Sequence, residues 1–120
     1  DLVPQVIADA EITFSQLNPR FFRLINEMAP FGPGNMRPVL FCKNLKQKYS
    51  PRVVGQNHLK MLVVGDGICM DAIGFNFADR YEEICRASEI NLAFSLDENE
   101  WNGYKEIQLN IKDIVYSDYH

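Results

Sequence analysis

Apolar positions along this chain follow a helical period in two short windows and a two-residue period almost everywhere else. The first helical window is NPRFFRLINEMAP, residues 18–30. Asn18 is a suitable N-cap, Pro19 suits the first helical position, and Phe22, Leu24, Ile25 and Met28 supply most of an apolar stripe. Pro30 ends the helix by disfavouring helical geometry at Ala29. Upstream, within PQVIADAEITFSQL, Val6-Ile7-Ala8 and Ile12-Thr13-Phe14 read as short extended runs.

Strand signals dominate after residue 37. PVLFCKNL and RVVGQNHLKMLVV are rich in branched and aromatic residues and are separated by the polar KQKYSP. Gly65-Asp66-Gly67 reads as a turn. CMDAIGFNF then alternates, with Ile73, Phe75 and Phe77 on one side and Ala72, Gly74 and Asn76 on the other. The second helical window, ADRYEEICRAS, predicts a short helix with Tyr81, Ile84 and Cys85 on one side. A hairpin closes the chain: NLAFSLD, a connection ENEWNG, and YKEIQLNIKDIVY, in which Ile107, Leu109 and Ile111 face inward and Glu106, Gln108, Asn110 and Lys112 outward.

The order is therefore helix, three strands, short helix, two strands. That order predicts a mainly β domain: a five-stranded, OB-fold-like Greek-key barrel with an N-terminal helical extension and a short helix between strands three and four. An SH3-like barrel is the rival, but it would not need the intervening helix. The stretch APFGPGNMRPVL, residues 29–40, joins helix to sheet with Pro30, Pro33 and Pro38 stiffening the path and Gly32 and Gly34 permitting sharp turns. The expected division is a helical lead-in and Gly/Pro joint over 1–35 and a barrel over 36–120.

Composition narrows the class. At 120 residues and 47% apolar, the chain is one globular domain's worth. No apolar run approaches a membrane span, and no signal peptide opens it. A start at Asp1 instead of Met suggests a piece of a longer protein. Cys42, Cys69 and Cys85 cannot all pair and match no zinc spacing, so they read as reduced, buried thiols in a cytoplasmic protein.

Charge points towards polyanions only locally. The net charge of −4 argues against nucleic acid, but residues 28–65 contain no Asp or Glu. Arg37, Lys43, Lys46, Lys48, Arg52 and Lys60, half of the basic residues, all fall there. Such a stretch is either a basic face or a chance cluster of solvated side chains.

Catalytic chemistry finds no support. His58 and His120 are the only imidazoles, and there is no nucleophile elbow, Walker loop or zinc-protease helix. The run DENE, residues 97–100, falls in the hairpin connection, where turn formers are expected, so it reads as a loop and not a metal site. In an OB-fold the ligand face centres on the second and third strands and the loops beside them. The candidate nucleic-acid-binding residues are then Lys46, Lys48, Tyr49 and Arg52 from the first loop, and His58 and Lys60 from the second strand. Ala72, Gly74 and Asn76 would form a flat platform on the third strand, and Asn99, Trp101, Tyr104 and Gln108 complete the set from the last hairpin. Cations for phosphate and aromatics for stacking suit a single strand. Trp101 can equally close the barrel end, Tyr49 and Tyr104 can cap the core, and His58 can be an ordinary strand residue.

Several of these stretches, in order, resemble one family. PFGPGNMRPVL, RVVGQNHLKMLV, DAIGFNFA and LDENEWNGYKEIQLNIKDI, preceded by IADAEITFSQL, are similar to the C-terminal OB-fold region of RecJ, the bacterial single-stranded-DNA-specific exonuclease. The resemblance runs from about Ile7 to Ile114, departing at Met36, where a second proline is common. It implies a single-stranded-DNA-binding domain of a 5′-to-3′ exonuclease of DNA repair and recombination. The catalytic core, with its Mn2+ or Mg2+ and DHH-type motifs, would lie outside this chain, which contains neither DHH nor GGH. On that reading the chain has no cofactor and cuts nothing alone. The partners it implies are single-stranded DNA, the parent's catalytic domains and, in an alternative reading, the single-stranded-DNA-binding protein docked at the basic segment.

Overall fold

A computed structural model describes residues 6–27 and 37–116, with only the backbone at Trp101. Met28, Ala29, the Gly/Pro joint as far as Met36, and His120 lie outside the described residues. The elements are β1 (Ala10–Glu11), α1 (Pro19–Glu27), β2 (Leu40–Gln47), β3 (Arg52–Val54), β4 (His58–Gly65), β5 (Ile68–Gly74), α2 (Tyr81–Arg86), β6 (Ile90–Trp101) and β7 (Tyr104–Tyr116). One-turn 3₁₀ helices, Phe14–Gln16 and Ala78–Arg80, fill the gaps before α1 and α2.

Mainly β, as expected, the strands form one seven-stranded mixed sheet in the order β1-β2-β6-β7-β5-β4-β3. A further pairing, Lys46 with Val64 and Gln47 with Val63, joins β2 back to β4. The path β2–β6–β7–β5–β4 thus returns to its starting strand. Only β1–β2 and β5–β7 are parallel. A parallel pair needs a crossover, and here α2 and β6 lie between β5 and β7 in the chain.

Two additions to the five expected strands have local causes. RVVGQNHLKMLVV is not one strand: Gly55, at φ +60°, starts a turn that folds Arg52–Val54 back on His58–Lys60. Ala10–Glu11 rather than the apolar runs on either side pairs with Leu40–Phe41, and Ile7 stands 89% exposed. The expected loop at DENE is instead strand, because β6 continues to Trp101 and the reversal is confined to Asn102 and Gly103, at φ +49° and +81°. Two consecutive left-handed residues are what a tight hairpin matching strand twist requires.

The core is shared between sheet and lead-in. Phe14, Phe22 and Ile25 are buried in one cluster with Leu45, Leu59, Val63, Phe94 and Leu109. Phe14 meets Phe94 edge to face at 6.5 Å between centroids. Gly65 permits this approach, since a Cβ there would lie 2.6 Å from Leu45 Cδ2 and 3.2 Å from Phe14 Cδ2. The α1 N-cap is as expected, with Asn18 Oδ1 accepting the Phe21 N–H at 2.9 Å. Leu24, however, points to solvent at 53% exposure, because the helix turns Phe22 and Ile25 into the core with Phe21 packed against it. The thiols also differ from expectation: Cys42 is buried, but Cys69 and Cys85 are exposed.

Candidate nucleic-acid interface

The outward face of β4 and β5 is set by the two-residue period. Leu59, Met61 and Val63 enter the core, which turns His58, Lys60 and Leu62 outward. Across the ladder, Lys60 pairs with Ile73 and Leu62 with Asp71, so Asp71 and Ile73 share that face. This reverses the expected phase of β5. Ala72 is fully buried opposite Met61, and Gly74 is buried against Phe77, so neither can form a platform. A charged group in an apolar strand is held at water, and Asp71 was the signal that decides the phase.

β7 extends the face. Asp71 pairs with Gln108, which pairs with Asp97 of β6. Gln108 is only 7% exposed because it is bridged on both sides: Asn99 Nδ2 donates to its Oε1 at 3.0 Å, and its Nε2 donates to Asp71 Oδ2 at 2.6 Å. Asn110 Nδ2 likewise donates to Asp97 Oδ2 at 3.1 Å.

Two depressions lie on this surface and share Lys60 and Asp71. One, of about 230 Å³, is lined by Tyr49, Ser50, Arg52, Met61 and Leu62 with that pair. The other, of about 590 Å³, is lined by Asn99, Glu100, Tyr104 and Glu106 with that pair. They adjoin at that pair, giving a groove that runs from the β2–β3 connection towards the β6–β7 hairpin.

Of the residues expected to bind, the groove brings together Tyr49, Arg52, Lys60, Asn99 and Tyr104, with Gln108 beneath. Lys46 sits at the β2–β4 join beside Val64, and Lys48 stacks its ammonium 5.7 Å from the centre of the exposed Tyr49 ring. His58 and Asn76 are not part of the groove lining. Asn76 lies beyond the end of β5 at φ +64°, and its backbone N–H donates to His58 Nδ1 at 3.0 Å. His58 also meets the Phe75 ring edge-on at 5.3 Å, so the pair works as a turn lock. The Trp101 side chain lies outside those described. Sequence reasoning missed Ser50, Asp71, Glu100 and Glu106.

The basic segment is less unopposed than its composition suggests. Lys60 Nζ lies 3.6 Å from Asp71 Oδ2, Lys43 Nζ 3.7 Å from Glu11 Oε1, and Arg37 Nε 3.9 Å from Asp97 Oδ1. Strand pairing imports carboxylates from outside residues 28–65. Lys46, Lys48 and Arg52 keep no carboxylate within 4.0 Å among the described residues. The same residues contain no group of three or more His, Cys, Asp or Glu placed to hold a metal ion. Nor is any described helix long and apolar enough to cross a membrane.

A family model described as the RecJ OB domain matches residues 8–113. The chain belongs to that family. It is 29% identical over 121 residues to the single-stranded-DNA-specific exonuclease RecJ of Bacillus subtilis (strain 168), covering 99% of this chain and 15% of that protein. The RecJ of Salmonella typhimurium (strain LT2) is 30% identical over 112 residues, covering 92% of this chain and 19% of that protein. This RecJ OB domain therefore spans less than a fifth of those two relatives' length. Its fold matches a crystal structure of RecJ in complex with Mn2+ from Thermus thermophilus at a TM-score of 0.69 and 22% identity, covering 94% of this chain and 16% of that one.

Proposed function

We propose that this RecJ OB domain grips single-stranded DNA across the outward face of β4 and β5. The observation that carries the reading is Arg52 in the groove and Lys48 against exposed Tyr49 at its β2–β3 end, with Lys46 farther along β2 beside Val64, all three without carboxylate partners among the described residues. Unpaired cations attract phosphates by counterion release, and exposed aromatic rings stack bases of any sequence. The strand circuit through β2, β6, β7, β5 and β4 is read as the five-stranded Greek-key barrel of an OB fold. Residues 1–35 are the lead-in towards a nuclease core and 36–120 the binding part, although both contribute to one hydrophobic cluster.

On this reading the parent protein removes nucleotides from single-stranded DNA in the 5′-to-3′ direction, during repair and recombination in the cytoplasm. Its Mn2+ or Mg2+ sits in a catalytic core outside this chain, and the fragment alone cleaves nothing. The stiff Gly/Pro joint would align the groove with that core.

Fluorescence anisotropy with a labelled single strand and a duplex control, across a salt series, tests this. Three phosphate contacts predict a slope of log affinity against log salt of about −2, falling by roughly 0.7 for each of Lys46→Ala, Lys48→Ala and Arg52→Ala. Absence of binding at low salt, or equal binding of duplex, would reject it. A second reading has its own observation: Leu62 and Tyr49 put apolar surface beside Arg52 and Lys60. An acidic peptide with an apolar end, such as a tail of the single-stranded-DNA-binding protein, suits that depression. Competition by such a peptide in the same assay separates the two.

A further inference from the structure

A third depression, of about 230 Å³, lies beside the groove and shares Tyr49 and Ser50 with its β2–β3 end. Gln47, Lys48 and Cys85 complete its lining, so the end of β2, the loop after it and α2 meet there. Unlike the two depressions of the groove, it has no carboxylate in its lining. Cys85 presents an exposed thiol. The Tyr81 hydroxyl, one helical turn earlier, has its pKa raised above the ordinary phenol value, first by hydrogen bonding to Cys85 and then by the charge of that sulfur. Gln47 adds an unmet acceptor. Its Nε2 donates to the Ile84 carbonyl at 2.8 Å, while Oε1 is buried without a hydrogen-bond partner among the described residues. A buried oxygen left in that state calls for a donor from outside the chain.

Nucleophile, ammonium and orphan acceptor match one kind of ligand: a disulfide sulfur for Cys85, a carboxylate for Lys48 and an amide N–H for Gln47. We propose that this depression is a thiolation site, where Cys85 takes a low-molecular-weight peptide thiol that carries carboxylates and amide N–H groups. The co-reactant is the disulfide of that thiol. The Cys85 thiolate attacks one of its sulfurs, and a new S–S bond forms as the reagent's own S–S bond breaks. The departing thiolate takes up the proton that Cys85 released, so Cys85 is oxidised and one half of the reagent reduced. A carboxylate of the adduct then faces Lys48, one of the three cations without such a partner. Given the single-strand reading above, on which this consequence rests, thiolation weakens the grip on DNA. Neutralising one phosphate-binding lysine acts like removing it.

The test treats the 120-residue chain with glutathione disulfide near neutral pH and maps adducts by peptide mass spectrometry. Cystamine, a cationic disulfide without carboxylate or amide, runs in parallel. The expected ratio of adduct at Cys85 to adduct at exposed Cys69 is about threefold higher for glutathione, and Lys48→Gln removes that excess. An equal ratio for the two reagents, or a lower one for glutathione, overturns the site. In a Cys69→Ser chain, the glutathione adduct should lower single-strand affinity about threefold at low salt and reduce the salt slope by roughly 0.7, both restored by dithiothreitol. The cystamine adduct adds a cation and should not weaken binding. Unchanged affinity with glutathione, or equal weakening by both adducts, overturns the regulation by charge. If the unmodified chain binds no strand at low salt, the regulatory consequence falls with the single-strand reading, and the adduct map still decides the site.

Discussion

Lys60 and Asp71 face each other across β4 and β5, with Nζ 3.6 Å from Oδ2, where the two depressions of the groove meet. Each side chain is about a third exposed, so the pair contributes little to stability but does set local charge.

Asp71→Asn should therefore change binding more than folding. Asn keeps an oxygen to accept from Gln108 Nε2 and removes the charge that opposes Lys60. Affinity for a single strand should rise by about two- to fivefold at low salt and converge with the parent at high salt, where exposed charges are screened. Unfolding in urea should shift by no more than about 0.5 kcal/mol. Weaker or unchanged binding in the variant would count against a polyanion crossing this face.

Asn91 carries a structural role that its neighbours in the sequence conceal. Fully buried in β6, it accepts the Asn44 N–H at 2.9 Å and donates to the Val115 carbonyl at 2.9 Å. Asn44 stands at φ +60° where the β2–β6 register shifts, so the bond satisfies an amide the ladder leaves out. Asn91→Leu strands both groups and should cost about 2–4 kcal/mol in urea unfolding. A loss below about 0.5 kcal/mol would mean that the register shift is held by packing alone.

The three thiols should separate by reactivity. Burial, with added repulsion from Asp66 and Glu11, raises the Cys42 pKa from 9.0 to about 11. Native protein treated with a maleimide near neutral pH should gain two adducts, at exposed Cys69 and Cys85, and a third only in denaturant. The raised value also sets a sign for stability. Above pH 9.0 the unfolded chain releases the Cys42 proton while the native state retains it up to about 11, so stability falls across that window. Cys42→Ala should flatten that part of the fall, as measured by urea unfolding against pH.

Much of the fold was legible because its cues are local. The order of the five long strands and two helices followed from periodicity, and the last hairpin was legible in ENEWNG, although its reversal proved to be confined to Asn102-Gly103. Two features were within reach of the same rules. Gly55 within RVVGQNHLKMLVV signals a turn, and Asp71 in an apolar run signals the outward face. The additional β1 pairing was not accessible, since Ala10 and Glu11 carry no strand pattern and are ordered by parallel pairing with Leu40 and Phe41.

By itself, the sequence determined the run of strands and helices, the family motifs and the supply of cations in residues 28–65, because propensity, turn chemistry and composition act over a few neighbouring residues. Which of those cations remain available was decided only by tertiary structure. Strand pairing set Asp71 beside Lys60, Glu11 beside Lys43 and Asp97 beside Arg37, and left Lys46, Lys48 and Arg52 without such partners among the described residues. Charge acts through space over a few ångströms, and residues distant in the chain become neighbours at that range only after the sheet has formed.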